Sequence, residues 1–170
     1  MRKIIGGFVI ILVGAYMGFK MSQKYKKREE NLNYMIEALT IMQTRIGFCA
    51  DRLGEIFITL SHALRGEMGA LFTEVSEKIK RGNLPADAFW ETLTVREHTL
   101  CFTERDMSIM EELCKQLGKN DCSHEICQIR KTIEELSQNK QEAQAAMAKE
   151  GKLTKSFCFL SSILLVILLM

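Results

Sequence analysis

The sequence predicts an all-α protein: a compact bundle of about six helices between an N-terminal and a C-terminal transmembrane helix. Three observations predict it. Apolar residues recur at steps of three and four along the middle of the chain, and no stretch alternates as a strand does. Proline occurs once in 170 residues, so little interrupts a helix. Charge is segregated: residues 1–21 hold no acidic side chain, residues 156–170 hold no charge at all, and all 21 acidic residues lie between them. The mean hydropathy of −0.01 averages over two unlike kinds of segment. This pattern excludes a simple soluble enzyme, a disordered chain and a multi-pass transporter. A middle whose charges nearly cancel argues against a nucleic-acid binder.

The first segment, residues 1–21, carries the apolar run Ile4–Phe19, IIGGFVIILVGAYMGF. As a helix extended to Met21 it reaches roughly 27 Å, enough to span with Lys20 snorkelling. A cleaved signal peptide is the rival reading, with Arg2-Lys3 in front and Val13-Gly14-Ala15 as a loose cleavage site. Lys20, Lys24, Lys26, Lys27 and Arg28 oppose it, because a basic cluster directly after the apolar run resists translocation. Gly14 and Gly18 form a G-x-x-x-G step in register with Gly7. Such a face lets another helix approach closely, though glycine is also generally tolerated in membrane helices.

The last segment, Ser156–Met170, reads SFCFLSSILLVILLM and follows Lys149, Lys152 and Lys155. Both apolar segments thus carry a basic collar on the side facing the middle. The positive-inside rule then places the middle in the cytoplasm and both chain ends outside, with Arg2 and Lys3 as weak opposition. A buried core helix or a membrane-surface helix is the other reading of this tail. The collars suit anionic headgroups.

The middle, residues 22–155, divides by its caps and breakers. Leu32, Met35, Ile36, Leu39, Met42, Ile46 and Cys49 form one stripe, with nothing between Lys20 and Arg45 to separate it from the first span. A second helix is expected over about Leu53–Leu64, and a third over about Ala70–Lys80, stopping at Gly82-Asn83. Pro85 suits the first turn of a fourth, with Asp87 near its positive end, running to Leu100. Thr103 with Asp106 starts a fifth, ending at Gly118. Asp121 or Ser123 caps a sixth, from about His124 to Lys155 and on into the tail. From Glu29 to Ala148 there are 20 acidic and 13 basic residues, so the bundle is acidic and its collars are basic. An acidic body suits a basic protein partner, although most individual charges read as ordinary solvated surface.

Chemistry-bearing patterns are sparse. His98, Cys101, Cys114, Cys122, His124 and Cys127 lie close in sequence and offer an alternative reading, a membrane-tethered metal-binding or redox domain. Their spacing is poor for zinc, since no C-x-x-C occurs, and small buried cysteines in a reducing compartment are the plainer reading. Phosphate loops and nucleophile elbows are absent. Glu111-Glu112 and Glu134-Glu135 are neighbours in sequence, so their carboxylates point apart on a helix. Ser61-His62 lacks a third partner, and Trp90 reads as core. No catalytic residue, cofactor or small-molecule substrate is expected.

The order of these features resembles the stage III sporulation protein AB family. The tail carries most of the likeness: Lys152-Leu-Thr-Lys155-Ser156, then Leu164-Leu165-Val166-Ile167-Leu168-Leu169-Met170. Ala38-Leu39, Ile46 with Phe48, Leu53, Leu71-Phe72, Trp90, and Leu117-Gly118 followed by Asp121 also match the family pattern. The chain departs from it at Arg45, where an acidic residue is usual, at Arg52, where proline is, and at Glu125, where glutamine is. The lost proline implies a first bend made differently here. The resemblance implies a bundle similar to the cytoplasmic domain of the type II secretion inner-membrane platform protein. It further implies a non-catalytic scaffold in a secretion-like channel between mother cell and forespore. Such a scaffold sits in the mother-cell membrane around the forespore, with its bundle in the mother-cell cytoplasm. Its partners are then a cytoplasmic hexameric ATPase and the channel proteins of the same operon. The docking face is not implied.

Overall fold

The chain without a strong breaker before Arg45 forms one long helix, α1, Arg2–Thr44, closed by a turn of π-helix at Arg45–Cys49. Five helices follow: α2 Leu53–Ala63, α3 Gly66–Lys80, α4 Pro85–Leu100, α5 Glu104–Gln116 and α6 Cys122–Leu169. This computed structural model describes residues 2–49, 51–119 and 121–169, with the side chains of 20, 23–49, 51–119 and 121–145. Among the described residues the protein is an all-α bundle with no strand. The backbone divides into two compact units, Arg28–Gln141 and residues 1–27 with 142–170.

The core of the Arg28–Gln141 unit follows the predicted stripes. Leu32, Met35, Leu39 and Met42 of α1 are fully buried, and Ile46 is nearly so. Cys49, the last residue of the expected stripe, is exposed, because the π-turn rotates the backbone out of the α-helical register. Phe57 of α2, Phe72 of α3 and Phe89 of α4 form an aromatic cluster, with ring centroids 6.0, 5.3 and 5.7 Å apart. All three side chains are fully buried, and each buried phenylalanine is worth about 1.5–3 kcal/mol. Trp90 is half-buried against this core. Across the surface, Arg96 of α4 reaches Glu74 of α3 at 3.0 Å, and Lys78 of α3 reaches Glu91 of α4 at 3.1 Å.

The termini of the helices explain where expectation and structure differ. α3 starts at Gly66, not Ala70. Two glycines serve the helix start: Gly66 takes φ 65°, and Gly69 lies so close to Leu64 that a Cβ there meets the Leu64 carbonyl oxygen at 2.5 Å. α3 ends as expected at Gly82, with φ 101°. α4 opens on Pro85, preceded by the extended Leu84, and carries Asp87 in its first turn. Its end uses no glycine: Cys101 adopts the left-handed conformation, φ 60°, while the Phe102 N–H bonds the Glu97 carbonyl. α5 begins with the expected Thr103–Asp106 capping box, and Gly118 beyond its end takes φ 77°. α6 starts at Cys122, and Asp121 accepts from Ser123 Oγ. At the first bend Arg52 has φ −73° and ψ 144°, a proline-like conformation, so this position keeps a proline's φ without proline.

Candidate functional site

Three helices bring polar side chains to one buried point. Asp106, in the first turn of α5, is fully buried. Arg28 of α1 holds it in a fork, Nε to Oδ2 at 2.8 Å and Nη2 to Oδ1 at 3.0 Å. Thr103 donates its backbone N–H and its hydroxyl to Oδ2, and Asn139 Nδ2 of α6 donates to Oδ1 at 2.7 Å. Asn139 is also fully buried, and its Oδ1 has no partner among the described residues. One turn along α1, Asn31 Nδ2 donates to the Leu100 carbonyl at 2.9 Å, taking up a free carbonyl at the end of α4. Lys140 of α6 donates to Asn33 Oδ1 at 2.7 Å.

Burial pushes the Asp106 carboxyl up, but the hydrogen bonds from Arg28 and Thr103 and the Arg28 charge outweigh it. The group is held below the usual carboxylate range. An ionised carboxylate saturated with donors is neither a general acid nor a base within reach of a substrate. The cluster is therefore a tie: it fixes α1, α5 and α6 to one another where α1 enters the bundle at Arg28 and α6 leaves it at Gln141. The sequence placed Arg28 in the basic collar and Asp106 in a cap, without joining them. The readable signal was register: Arg28 and Asn31 precede Leu32 and Met35 on the buried face of α1, and Asn139 follows Ile129 and Leu136 on that of α6.

The other residues singled out in the sequence are dispersed. Lys20, Lys24 and Lys26 are exposed, and Lys27 is half-buried. Gly7, Gly14, Gly18, Lys149, Lys152 and Lys155 lie outside the described side chains, as do both expected spans apart from Lys20. Among the described residues no helix is long and apolar enough to cross a membrane.

The His/Cys reading is corrected by the placement of its members. Among the described residues no three His, Cys, Asp or Glu side chains are arranged to hold a metal. His98 is 95% exposed beside Glu97, and Cys101, just past the end of α4, takes the left-handed conformation. Cys114 is buried in the core, where burial pushes its thiol up to about 12. Cys122, His124 and Cys127 are exposed on α6. The plainer reading is corrected too, since of the five described cysteines only Cys114 is buried. Glu111 and Glu112 pair separately, with Lys115 and Lys131.

At the opposite end of the bundle, glycines in or beside the connections face isoleucine and leucine side chains of neighbouring elements. A Cβ at Gly54, in the first turn of α2, lies 3.5 Å from Ile79 in the last turn of α3. A Cβ at Gly118 lies 3.1 Å from Leu53, and one at Gly47 lies 3.3 Å from Ile126. Two large apolar side chains stand exposed on these connections, Phe48 at 89% and Leu84 at 69%.

Comparison with known proteins gives a consistent result. The family model described as stage III sporulation protein AB matches residues 3–170. Stage III sporulation protein AB of Bacillus subtilis (strain 168) is 25% identical over 171 residues, covering 100% of both chains. A solved structure titled stage III sporulation protein AB superposes with a TM-score of 0.66 at 17% identity, covering 72% of this chain and 97% of that one. At that identity the superposition speaks for the fold.

Proposed function

The chain belongs to the stage III sporulation protein AB family, and from that membership we propose that it is a non-catalytic membrane platform of a sporulation channel complex. The family is named for a stage of sporulation and not for an enzymatic activity. The bundle docks a cytoplasmic ATPase, and the two chain ends anchor it as spanning helices in the mother-cell membrane around the forespore. Channel proteins of the same operon are its other partners. The observation that carries this reading is the chain's build: a tied helical bundle entered and left by two helices, α1 and α6, whose far ends are the uncharged or basic apolar runs. Apolar runs flanked by Lys20 to Arg28 and by Lys149 to Lys155 support a cytoplasmic bundle.

The test is crosslinking of an internally tagged protein in membranes from sporulating cells, followed by mass spectrometry. The expected result is an ATPase linked to bundle residues. Recovery of channel proteins without an ATPase, under conditions that trap other weak complexes, makes the bundle a structural spacer and removes the motor-docking part of the reading.

A further inference from the structure

We infer that Asn139 is a register residue: it selects which heptad of α6 lies against α1 and α5, and it does so at a cost in stability. The tie at Asp106 joins the three helices. Their alignment along one another is what the apolar seam leaves open.

The seam is nearly self-similar. On α1 the buried Leu32, Leu39 and Ile46 recur at heptad steps, as do Met35 and Met42. On α6, Ile126, Ile129 and Thr132 are followed one heptad on by Ile133, Leu136 and Asn139. Ile129, Thr132, Leu136 and Asn139 are buried, and Ile126 and Ile133 pack partly buried against the core. Two contacts fix the observed alignment. Lys140 donates to Asn33 Oδ1 at 2.7 Å, and a Cβ at Gly47 lies 3.3 Å from Ile126. These contacts are two heptads apart on each helix, so α1 and α6 run antiparallel and keep one register between them. A slip of α6 by one heptad, about 10.5 Å, puts Ile133 where Ile126 was and Leu136 where Ile129 was. Apolar burial is non-directional and separates such alignments poorly.

Asn139 separates them. In the observed register its Nδ2 donates to Asp106 Oδ1 at 2.7 Å. One heptad away in one direction the same place falls to Ala146, and in the other to Thr132. Neither carries an amide that reaches as far. The bond is directional, and its acceptor sits on α5 under the grip of Arg28 from α1. The cost lies in the other half of the amide. Asn139 is fully buried, and its Oδ1 has no partner among the described residues. A buried acceptor without a donor destabilises the folded state. A core asparagine with one directional bond and one orphaned oxygen is thus a poor stabiliser and an effective guard against misalignment, the role a polar core position plays in a coiled coil. α6 continues beyond Asn139 to Leu169, so its register also sets how much of that helix extends past Asp106.

The test reads the register by disulfide crosslinking in the full-length chain in membranes, with its six native cysteines replaced. Asn33→Cys is combined with Lys140→Cys, which reports the observed register. It is also combined with Ile133→Cys or Met147→Cys, one heptad away in either direction. With Asn139 in place, the observed pair should crosslink at least ten-fold more than either displaced pair. Asn139→Leu should raise a displaced pair at least five-fold. Ile129→Ala is the control, because it weakens the same seam without touching the tie. It should leave the displaced pairs at their starting yield. Displaced pairs unmoved by Asn139→Leu overturn the inference, since the connections or the packing then set the register. An equal rise in both variants overturns it too, since any loosening of the seam then suffices. Should the leucine variant not accumulate, Asn139→Ala is read in the same way, with the same two outcomes against the inference.

Discussion

Arg28 and Asp106, 78 residues apart in sequence, form a two-pronged ion pair in which the Asp106 side chain is fully buried and the Arg28 side chain 14% exposed. The pair joins the first helix of the bundle to the fifth, and Asn139 adds the sixth. Breaking it from one side strands a charge. Asp106→Leu should therefore cost about 3–5 kcal/mol. The double variant Arg28→Met, Asp106→Leu should cost less than the sum of the single changes. Chemical unfolding of the full chain in detergent, followed by circular dichroism, checks both. Additive costs would mean that the two side chains act independently.

The same group sets an acid limit. Asp106 has its pKa lowered from 3.8 by folding. Its contribution is thus complete above the unfolded value and is lost as pH falls through the folded one. The wild-type protein should keep this stability at neutral pH and lose it below about pH 3.8. Asp106→Asn removes the titrating group, so its stability should depend less steeply on pH in that range. Parallel melting curves from pH 5 to pH 2 decide this, and equal slopes for the two proteins would contradict it.

The helical class and most helix ends were legible because they rest on local rules. Pro85, the Thr103–Asp106 box and the glycines at 82 and 118 each act within one turn of their own position. The left-handed Cys101 was not legible, since it is held from a distance: Asn31 of α1 binds the Leu100 carbonyl immediately before it. The Arg28–Asp106 tie was half-legible. Each residue had a sound local reading, collar and cap, and only the burial of both faces showed that they meet. Phe48 matched the family pattern in sequence, but its exposure follows from the π-turn, whose register periodicity does not predict.

Glycines that look alike in sequence should respond in opposite ways to alanine. At Gly69 the new Cβ meets the Leu64 backbone oxygen at 2.5 Å, and a backbone atom cannot step aside. Gly69→Ala should destabilise by about 1–3 kcal/mol. At Gly54 the Cβ rests 3.5 Å from Ile79, an ordinary contact, and alanine favours the helix by up to about 1 kcal/mol. Gly54→Ala should therefore be neutral or stabilising. Urea midpoints of the two variants measure the difference, and a shift of the same sign in both would show that propensity, not space, governs these sites.

Cysteine reactivity gives the most direct reading of the core. Cys114 is buried among α5 core residues, and burial first, with the nearby Asp87 and Glu111 charges second, pushes its thiol up to about 12. The nucleophile in alkylation is the thiolate, so Cys114 is protected twice, by access and by protonation. Cys49, Cys122 and Cys127 are exposed. Iodoacetamide at pH 8 should modify those three within minutes and leave Cys114 unmodified until the bundle unfolds in denaturant. Peptide mapping after timed quenching resolves each site. Labelling of Cys114 at the rate of Cys127 under native conditions would mean that α5 opens readily from the core. The Asp106 tie would then not hold α5 in place, because Asp106 and Cys114 lie on that one helix and must move together.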